Sequence, residues 1–390
     1  MIHDVVIIGA GPAGLCLARA LSGHGLSVVL LERQAEQELA KPTFDGREIA
    51  LTHASQALLE KLGLWQRLPT DEVAVLRDAQ VLNGPSLFAL QIRAEQAGAE
   101  RLGHLVANRA IRRAAFDAVA EYADVQLRCG LKVGAIRHRE REVELELAGG
   151  EQLRTRLLVA ADSRFSETRR QLGIGARLKD FGKTMLVCRM DHQKPHRQTA
   201  WEWFGYGQTL ALLPLNGNRS SVVLTLPPRE IERLRGLDGE AFAREMEQRF
   251  DRRLGVMQLA SERHAYPLIG AYADKLVGPR CVLIGDAAVG MHPVTAHGFN
   301  FGLGSVQRLT EAVLAAHARR EDIAAPALLA RYERQHRLAT WPLYQATNLL
   351  VDVYTDDRLP VRLLRGAGLR VAQGLLPLKK GIARHLTSGV

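Results

Sequence analysis

The chain has 390 residues, 47% of them hydrophobic and 24% charged, with a formal charge of +10. Such a length buries a large core and suits about two domains. The composition, without low-complexity tracts or internal repeats, excludes a disordered or fibrous protein. The charge excess belongs to the tail. No acidic residue follows Asp357, whereas Arg358, Arg362, Arg365, Arg370, Lys379, Lys380 and Arg384 do, and setting those seven aside leaves +3 of the +10. A nucleic-acid partner is therefore not expected.

Residues 4–8, Asp-Val-Val-Ile-Ile, read as a short strand buried on both faces. Gly9-Ala10-Gly11-Pro12-Ala13-Gly14 follows at once, then a helix with Gly14, Ala18 and Leu21 on one face. A second apolar run, Val28-Val29-Leu30-Leu31, ends in Glu32-Arg33. This order of strand, glycine turn, helix, strand and acid is that of a dinucleotide fold. Gly9 permits the turn, Gly11 lets the backbone approach a pyrophosphate, and Gly14 lets the helix pack closely on the strand. Glu32 is positioned to accept from a ribose hydroxyl, or is a solvated acid at a strand end. The motif alone does not decide between NAD and FAD.

The start at Asp4 is too polar, and the apolar run after it too short, for a signal peptide. No apolar run approaches a membrane span. Cys16, Cys129, Cys188 and Cys281 lack metal or redox spacing, so no metal site is expected and a reducing, cytoplasmic compartment is. Arg47 follows a polar connection and is either a pyrophosphate clamp or an ordinary surface arginine. A helix over residues 55–62 closes at Gly63. Strand character then runs through residues 73–76, 80–83 and 87–92, and helix spacing returns over 105–121. Strands at 125–127, 133–136, 143–147 and 153–158 complete a return to the first domain.

Residues 157–161 form another buried strand, ending at Asp162 before Ser163-Arg164 and a helix. Strand pattern dominates residues 183–226, one helix is predicted over 239–250, and Ala265-Tyr266-Pro267-Leu268 follows. A third buried strand, residues 280–284, ends at Gly285-Asp286 and leads through Pro293 and His297 to a helix from Phe299 to about Arg319. The backbone donors of Gly298, Phe299 and Asn300 favour negative charge there. The rest is helical pattern broken by Pro342, Pro360 and Pro377. The fold class is α/β, with a Rossmann-like domain over 1–71, 100–182 and 271–345. A second, sheet-rich domain is built from 72–99 and 183–270, and 346–390 is a basic helical tail.

The three strand-end motifs, residues 9–14, 161–169 and 285–300, resemble in order and separation those of the class A FAD-dependent aromatic hydroxylases. Residues 44–51, 211–215, 265–268 and 285–303 resemble most closely the ubiquinone-biosynthesis branch of that family, the UbiH/UbiF/VisC type, and within it the UbiM group. The resemblance covers nearly the whole chain and implies the class A flavoprotein monooxygenase architecture, with an FAD-binding and a substrate domain. It implies that Gly9, Gly11, Gly14 and Glu32 hold the ADP half of FAD, that Pro12, Ala13 and Arg33 also bind the cofactor, and that Arg47 reaches its phosphates. Asn108 becomes a polar flavin contact, and Asp162 supports FAD and the nicotinamide cofactor. Asp286 would bind the ribityl chain, with Pro293, Gly298, Phe299 and Asn300 against the flavin ring.

The implied reaction is ring hydroxylation of a polyprenylated ubiquinone precursor with NAD(P)H and O₂, through a flavin hydroperoxide. No base is assigned; Pro293 and His297 are the candidates, with His292 and Tyr266 by position only. Departures from the family pattern fall at Ser163, Val289, His297 and Ser305, and His297 is either a flavin neighbour or a neutral loop residue. Trp201, Trp203, Phe204 and residues 210–213 either wall an apolar pocket or form sheet core. Val361, Leu364, Val371 and Leu375, interleaved with arginines, either touch the inner face of the membrane or pack on the body. A ubiquinone-biosynthesis complex is a further implied partner. Two other readings stand: a class A enzyme acting on a soluble aromatic compound or as a reductase, and a non-catalytic FAD-binding accessory protein.

Overall fold

Three buried strands place the motifs side by side. In the computed structural model, which describes residues 1–84, 86, 88–205, 207–292, 298–355, 358, 361 and 376–388, β1 (Ile2–Ile8) pairs in parallel with both β2 (Val28–Leu31) and β11 (Gln152–Ala160). The sheet continues to β8 (Val125–Arg128) beyond β2 and to β19 (Cys281–Leu283) beyond β11, all parallel. All four residues of β2 are buried, as expected for a strand covered on both faces. α1 (Pro12–Leu21) makes the crossover from β1 to β2. Because β1, β11 and β19 are neighbours with one direction, the three motifs that follow them emerge at one edge, where such sheets bind ligands. Ala161 N–H donates to Ile8 O and Ile284 N–H to Ala160 O, tying the strand ends together. β10 (Val143–Leu147), β9 (Val133–His138) and β18 (Val277–Gly278) extend this sheet in antiparallel fashion.

The second sheet runs in the order β20 (Val289–Gly290), β17 (His264–Ala273), β12 (Ala176–His192), β15 (Arg219–Leu226), β14 (Thr209–Pro214), β13 (Thr199–Phe204), β5 (Asp78–Asn83), β6 (Ala89–Arg93), with β16 (Met257–Leu259) on β12. One face packs on α6 (Pro228–Gly236) and α7 (Gly239–Arg249): Leu186, Leu212 and Leu224 meet Ile231, Phe242 and Met246. The other face looks toward the motifs. Sequence pattern anticipated one helix here, and the structure has two. Charged residues fill α6 and leave Ile231 and Leu234 as its only buried positions, too few to register as a period.

Other boundaries also moved. β4 (Val73–Leu76) belongs with β3 (Glu48–Leu51) and β7 (Gly103–Ala107) in a separate small sheet, and β12 begins at Ala176 instead of Lys183. The helix anticipated over residues 105–121 is strand up to Ala107, and α4 (Asn108–Ala120) starts only there. α3 (His53–Lys61) is capped by Thr52, whose side chain accepts from Ser55 N–H. α2 (Glu36–Ala40) and α5 (Glu167–Gln171) are short. Pro342 does not break its helix: α10 (Pro326–Thr355) runs through it. The carbonyl it leaves unpaired, that of Leu338, belongs to a residue 72% exposed, where water can serve it.

The third motif forms α8 (Gly285–Ala288), continues as β20 in the second sheet, and returns in α9 (Gly298–Ala318). The tail ends in α11 (Leu376–Ser388), where Ile382 and Ala383 pack on Leu90, Ile92 and Ala94. Among the described residues, then, the end of the tail is a helix docked on the body. Arg362, Leu364, Arg365, Arg370, Val371 and Leu375 lie outside the described residues, as do Pro293 and His297. Cys16, Cys188 and Cys281 are buried and all four cysteines are free.

Candidate active site

The glycines of the first motif divide by what a side chain would meet. Gly9 has φ +108° and a Cβ there would stand 2.6 Å from Ala161 O; a Cβ on Gly14 would stand 1.9 Å from Gly9 O. Both are packing positions. A Cβ on Gly11 would meet nothing within 4 Å, because this residue faces a cavity of about 960 Å³. No side chain caps α1, which has Pro12 in its first turn. Its first N–H groups are therefore left to a ligand, and the helix dipole favours an anion there.

Glu32 is buried at the end of β2, and its carboxylate braces the turn from across the sheet. Oε2 accepts from Ala10 N–H at 2.7 Å and Oε1 from Gln34 N–H at 2.9 Å. A carboxylate has about four acceptor sites, so capacity remains toward the cavity that Glu32 lines. Arg33 is exposed at the same rim.

Arg47 is held by Asp45 through two contacts of 2.9 and 2.6 Å. Asn108 Nδ2 also donates to Asp45 Oδ2, at 2.8 Å, and Asn108 N–H donates to Arg47 O. Tyr266 O–H donates to Asp45 O, and the Arg47 guanidinium stands 5.7 Å from the Tyr266 ring centre. Asn108 and Tyr266 therefore anchor the loop that presents Arg47. That is a positioning task for Asn108, and it leaves Tyr266 no free proton donor for substrate.

Asp162 organises the second motif: it accepts from Ser166 O–H and from Thr168 N–H. Two arginines that sequence reading passed over join this motif to the third. Arg164 donates to Ile269 O at 3.0 Å and to Asp286 Oδ2 at 3.2 Å, linking Asp286 to the second sheet. The buried Arg169 donates to Arg164 O and, at 2.9 Å, to Ala287 O. Nothing in spacing marks either residue, since Ile269, Asp286 and Ala287 all lie more than a hundred positions away. Ser305, where the family commonly has an acid, donates to Gly302 O and accepts from Gly285 N–H. Val289 is buried in β20.

Gly9, Gly11, Pro12, Ala13, Glu32, Arg33, Arg47, Asn108, Asp162, Asp286, Gly298 and Phe299 all line the one cavity. Gly14 and Asn300 do not. Asn300 departs from the expected place against the flavin ring: its Nδ2 donates to Ala50 O at 2.8 Å and its Oδ1 accepts from Thr52 N–H. A side-chain amide matches a strand end as well as a ligand, and here it fastens α9 to β3. His292 lines the cavity beside Phe181, and burial lowers its pKa to about 4, so it is neutral at pH 7.

The second sheet supplies the opposite wall. Strand alternation sends Trp201, Trp203, Leu210 and Leu212 into the core with α6 and α7, while Phe204, Ala211 and Leu213 face the cavity with Met185, Val187 and Val223. Both sequence readings of these residues are thus partly right, on alternate positions. The turn, the uncapped helix and the braced acid fit FAD, and the remaining cavity has an apolar wall for a second molecule.

The model of the FAD binding domain family matches residues 3–347. The chain belongs to this family. It is 44% identical to the ubiquinone hydroxylase UbiM of Neisseria meningitidis, over 98% of this chain and 84% of that one. It is 36% identical to the ubiquinone hydroxylase UbiL of Rhodospirillum rubrum, over 98% and 89%. The solved structure of p-nitrophenol 4-monooxygenase PnpA from Pseudomonas putida has the same fold, with a TM-score of 0.78 at 19% identity, covering 98% of this chain and 96% of that one. FAD is the cofactor and the architecture is that of the class A flavoprotein monooxygenases.

Proposed function

We propose that the protein hydroxylates the aromatic ring of a polyprenylated ubiquinone precursor, using NAD(P)H and O₂. The observation that carries this reading is the single cavity in which three strand-end motifs meet an apolar sheet wall; the hydroxylase relatives support it. Bound FAD would supply the redox and oxygen chemistry. The N-terminus of α1 and Gly11 would receive the pyrophosphate, Arg47 would add a cation beside it, and Glu32 would take the ribose. Asp286, fixed by Arg164, would hold the ribityl chain. The first turn of α9, at Gly298 and Phe299, would set positive potential against the flavin ring. Met185, Val187, Ala211, Leu213 and Val223 exclude water from the reacting ring.

The wall argues against a soluble aromatic acid, because the cavity-facing residues of β12–β15 include no cation among the described residues. A non-catalytic role would draw on the substitutions at Ser163, Val289 and His297; His297 lies outside the described residues, and neither Ser163 nor Val289 fills the cavity. The test is anaerobic addition of NADPH to the purified flavoprotein, with and without a prenylated phenol. Flavin bands that bleach faster with the phenol are expected. Bleaching indifferent to the phenol would favour the reductase reading, and no bleaching the accessory one.

A lipid-borne substrate calls for peripheral contact with the inner face of the membrane. Leu338 and Leu349, 72% and 66% exposed on α10, and the exposed Lys380 and Arg384 of α11 support it. Among the described residues no helix is long and apolar enough to cross a membrane. Binding to anionic vesicles at low salt, weakened at high salt, is the expected result; absence of binding at low salt would remove this part of the proposal.

A further inference from the structure

The sheet wall contains one acid that none of these roles uses. Backbone register aligns Val187, Val223, Ala211, Glu202, Val81 and Leu90 in a single row across β12, β15, β14, β13, β5 and β6. Every member except Glu202 is aliphatic. Because Trp201 and Trp203 turn into the core, Glu202 between them turns to the cavity and lines it. Among the described residues it has neither a hydrogen-bond nor an ion partner. Val187, at the other end of the cavity stretch, packs beside Gly46, where a Cβ would stand 2.6 Å from Val187 Cγ2. Glu202 thus lies three strands from the Arg47 loop, roughly 14 Å at about 4.8 Å per strand. That interval has room for a substituted aromatic ring along the wall.

We propose that Glu202 contacts the substrate: its carboxyl group hydrogen-bonds a hydroxyl of the phenolic ring and so selects the ring edge turned toward the flavin. This rests on the hydroxylase reading above, which supplies the phenol. The aliphatic residues of the wall hold a polyprenyl phenol without orienting it, since apolar contacts are nondirectional, and the hydroxyls of Thr209, Ser221 and Thr225 carry no charge. A lone carboxyl in that wall provides a direction. Its surroundings contain no charge that acts on it among the described residues. Its cross-strand neighbours are Ala211 and Val81, and Thr209, Ser221 and Thr225 are the other polar residues of these strands that line the cavity. Asn83 and Arg189 stand on the same face outside the cavity lining, Arg189 paired with Glu48 and Glu72, and neither they nor Lys379 and Lys380 of α11 act on Glu202.

Burial raises the Glu202 pKa to about 8, so the group is mostly protonated at pH 7 and ionised above 8. An ionised carboxylate accepts a phenol proton in a charge-assisted bond, stronger than the neutral one. Affinity for the phenol and kcat/KM therefore rise as pH increases through about 8.

The test compares wild-type holoenzyme with Glu202→Gln and Glu202→Leu, using a phenol that carries a short prenyl chain. Binding is followed by the fluorescence of the adjoining Trp201 and Trp203, and products are assigned by ring position. Glu202→Leu is expected to weaken binding about tenfold and to scatter the hydroxylation position. Glu202→Gln keeps a hydrogen bond and a single product at pH 7 but loses the rise through pH 8. Unchanged affinity and unchanged regiochemistry in Glu202→Leu would overturn the proposal, as would an alkaline rise retained by Glu202→Gln. Should Glu202→Leu fail to fold, the pH profile of Glu202→Gln decides. If wild type binds the phenol but never hydroxylates it, the hydroxylase reading fails, and the binding comparison still decides the contact.

Discussion

Gly11→Val is expected to yield a folded protein that has lost its flavin, whereas Gly14→Val is expected to lose the fold itself. The contrast follows from where each Cβ would go. At Gly11 it would project into open cavity, with no atom within 4 Å, so the empty protein has nothing to clash with. A bound pyrophosphate would compete for that space. At Gly14 it would stand 1.9 Å from Gly9 O, a backbone atom that cannot turn aside. Overpacking against movable side chains costs about 1–3 kcal/mol, and a backbone clash that separates α1 from β1 exceeds that range. Thermal unfolding and flavin absorbance measured on both variants check this. Full flavin occupancy in Gly11→Val would mean that the pyrophosphate lies elsewhere.

Glu32→Leu is expected to cost both stability and flavin. The carboxylate satisfies Ala10 N–H and Gln34 N–H in a buried setting, and each stranded donor costs about 1–3 kcal/mol. The loss falls on the turn that would receive the pyrophosphate, so FAD affinity is expected to drop with it. Glu32→Gln keeps one acceptor oxygen and should fall between wild type and Glu32→Leu. Denaturation midpoints taken with and without added FAD separate the two effects. A Glu32→Leu variant as stable as wild type without FAD would show that water replaces the carboxylate at these donors.

The dinucleotide half was legible because its signals are local. β-branched runs, glycines at fixed offsets and an acid at the end of β2 specify their neighbours within about thirty residues, and parallel order then brings the three motifs together. The second sheet was legible as strands, but its membership was not. β4 is a short strand that ends two residues before β5 begins, yet it pairs with β7, and only long-range register decides that. Residues whose work depends on distant partners were the ones missed or misplaced. Arg164 reaches Asp286 across 122 positions, and Asn300 spends its amide on a strand 250 residues away. In sequence Glu202 is a single acid between two tryptophans; its setting appears only when alternation and register place it amid aliphatic neighbours.

The central claim, ring hydroxylation dependent on FAD, is tested most directly by isotopic labelling. Purified holoenzyme is given NAD(P)H, a prenylated phenol and ¹⁸O₂, and the product is analysed by mass spectrometry. One ¹⁸O atom on the ring, absent when FAD is removed, is the predicted result. Reduced cofactor consumed with no labelled product, or ring oxygen drawn from water, would contradict it.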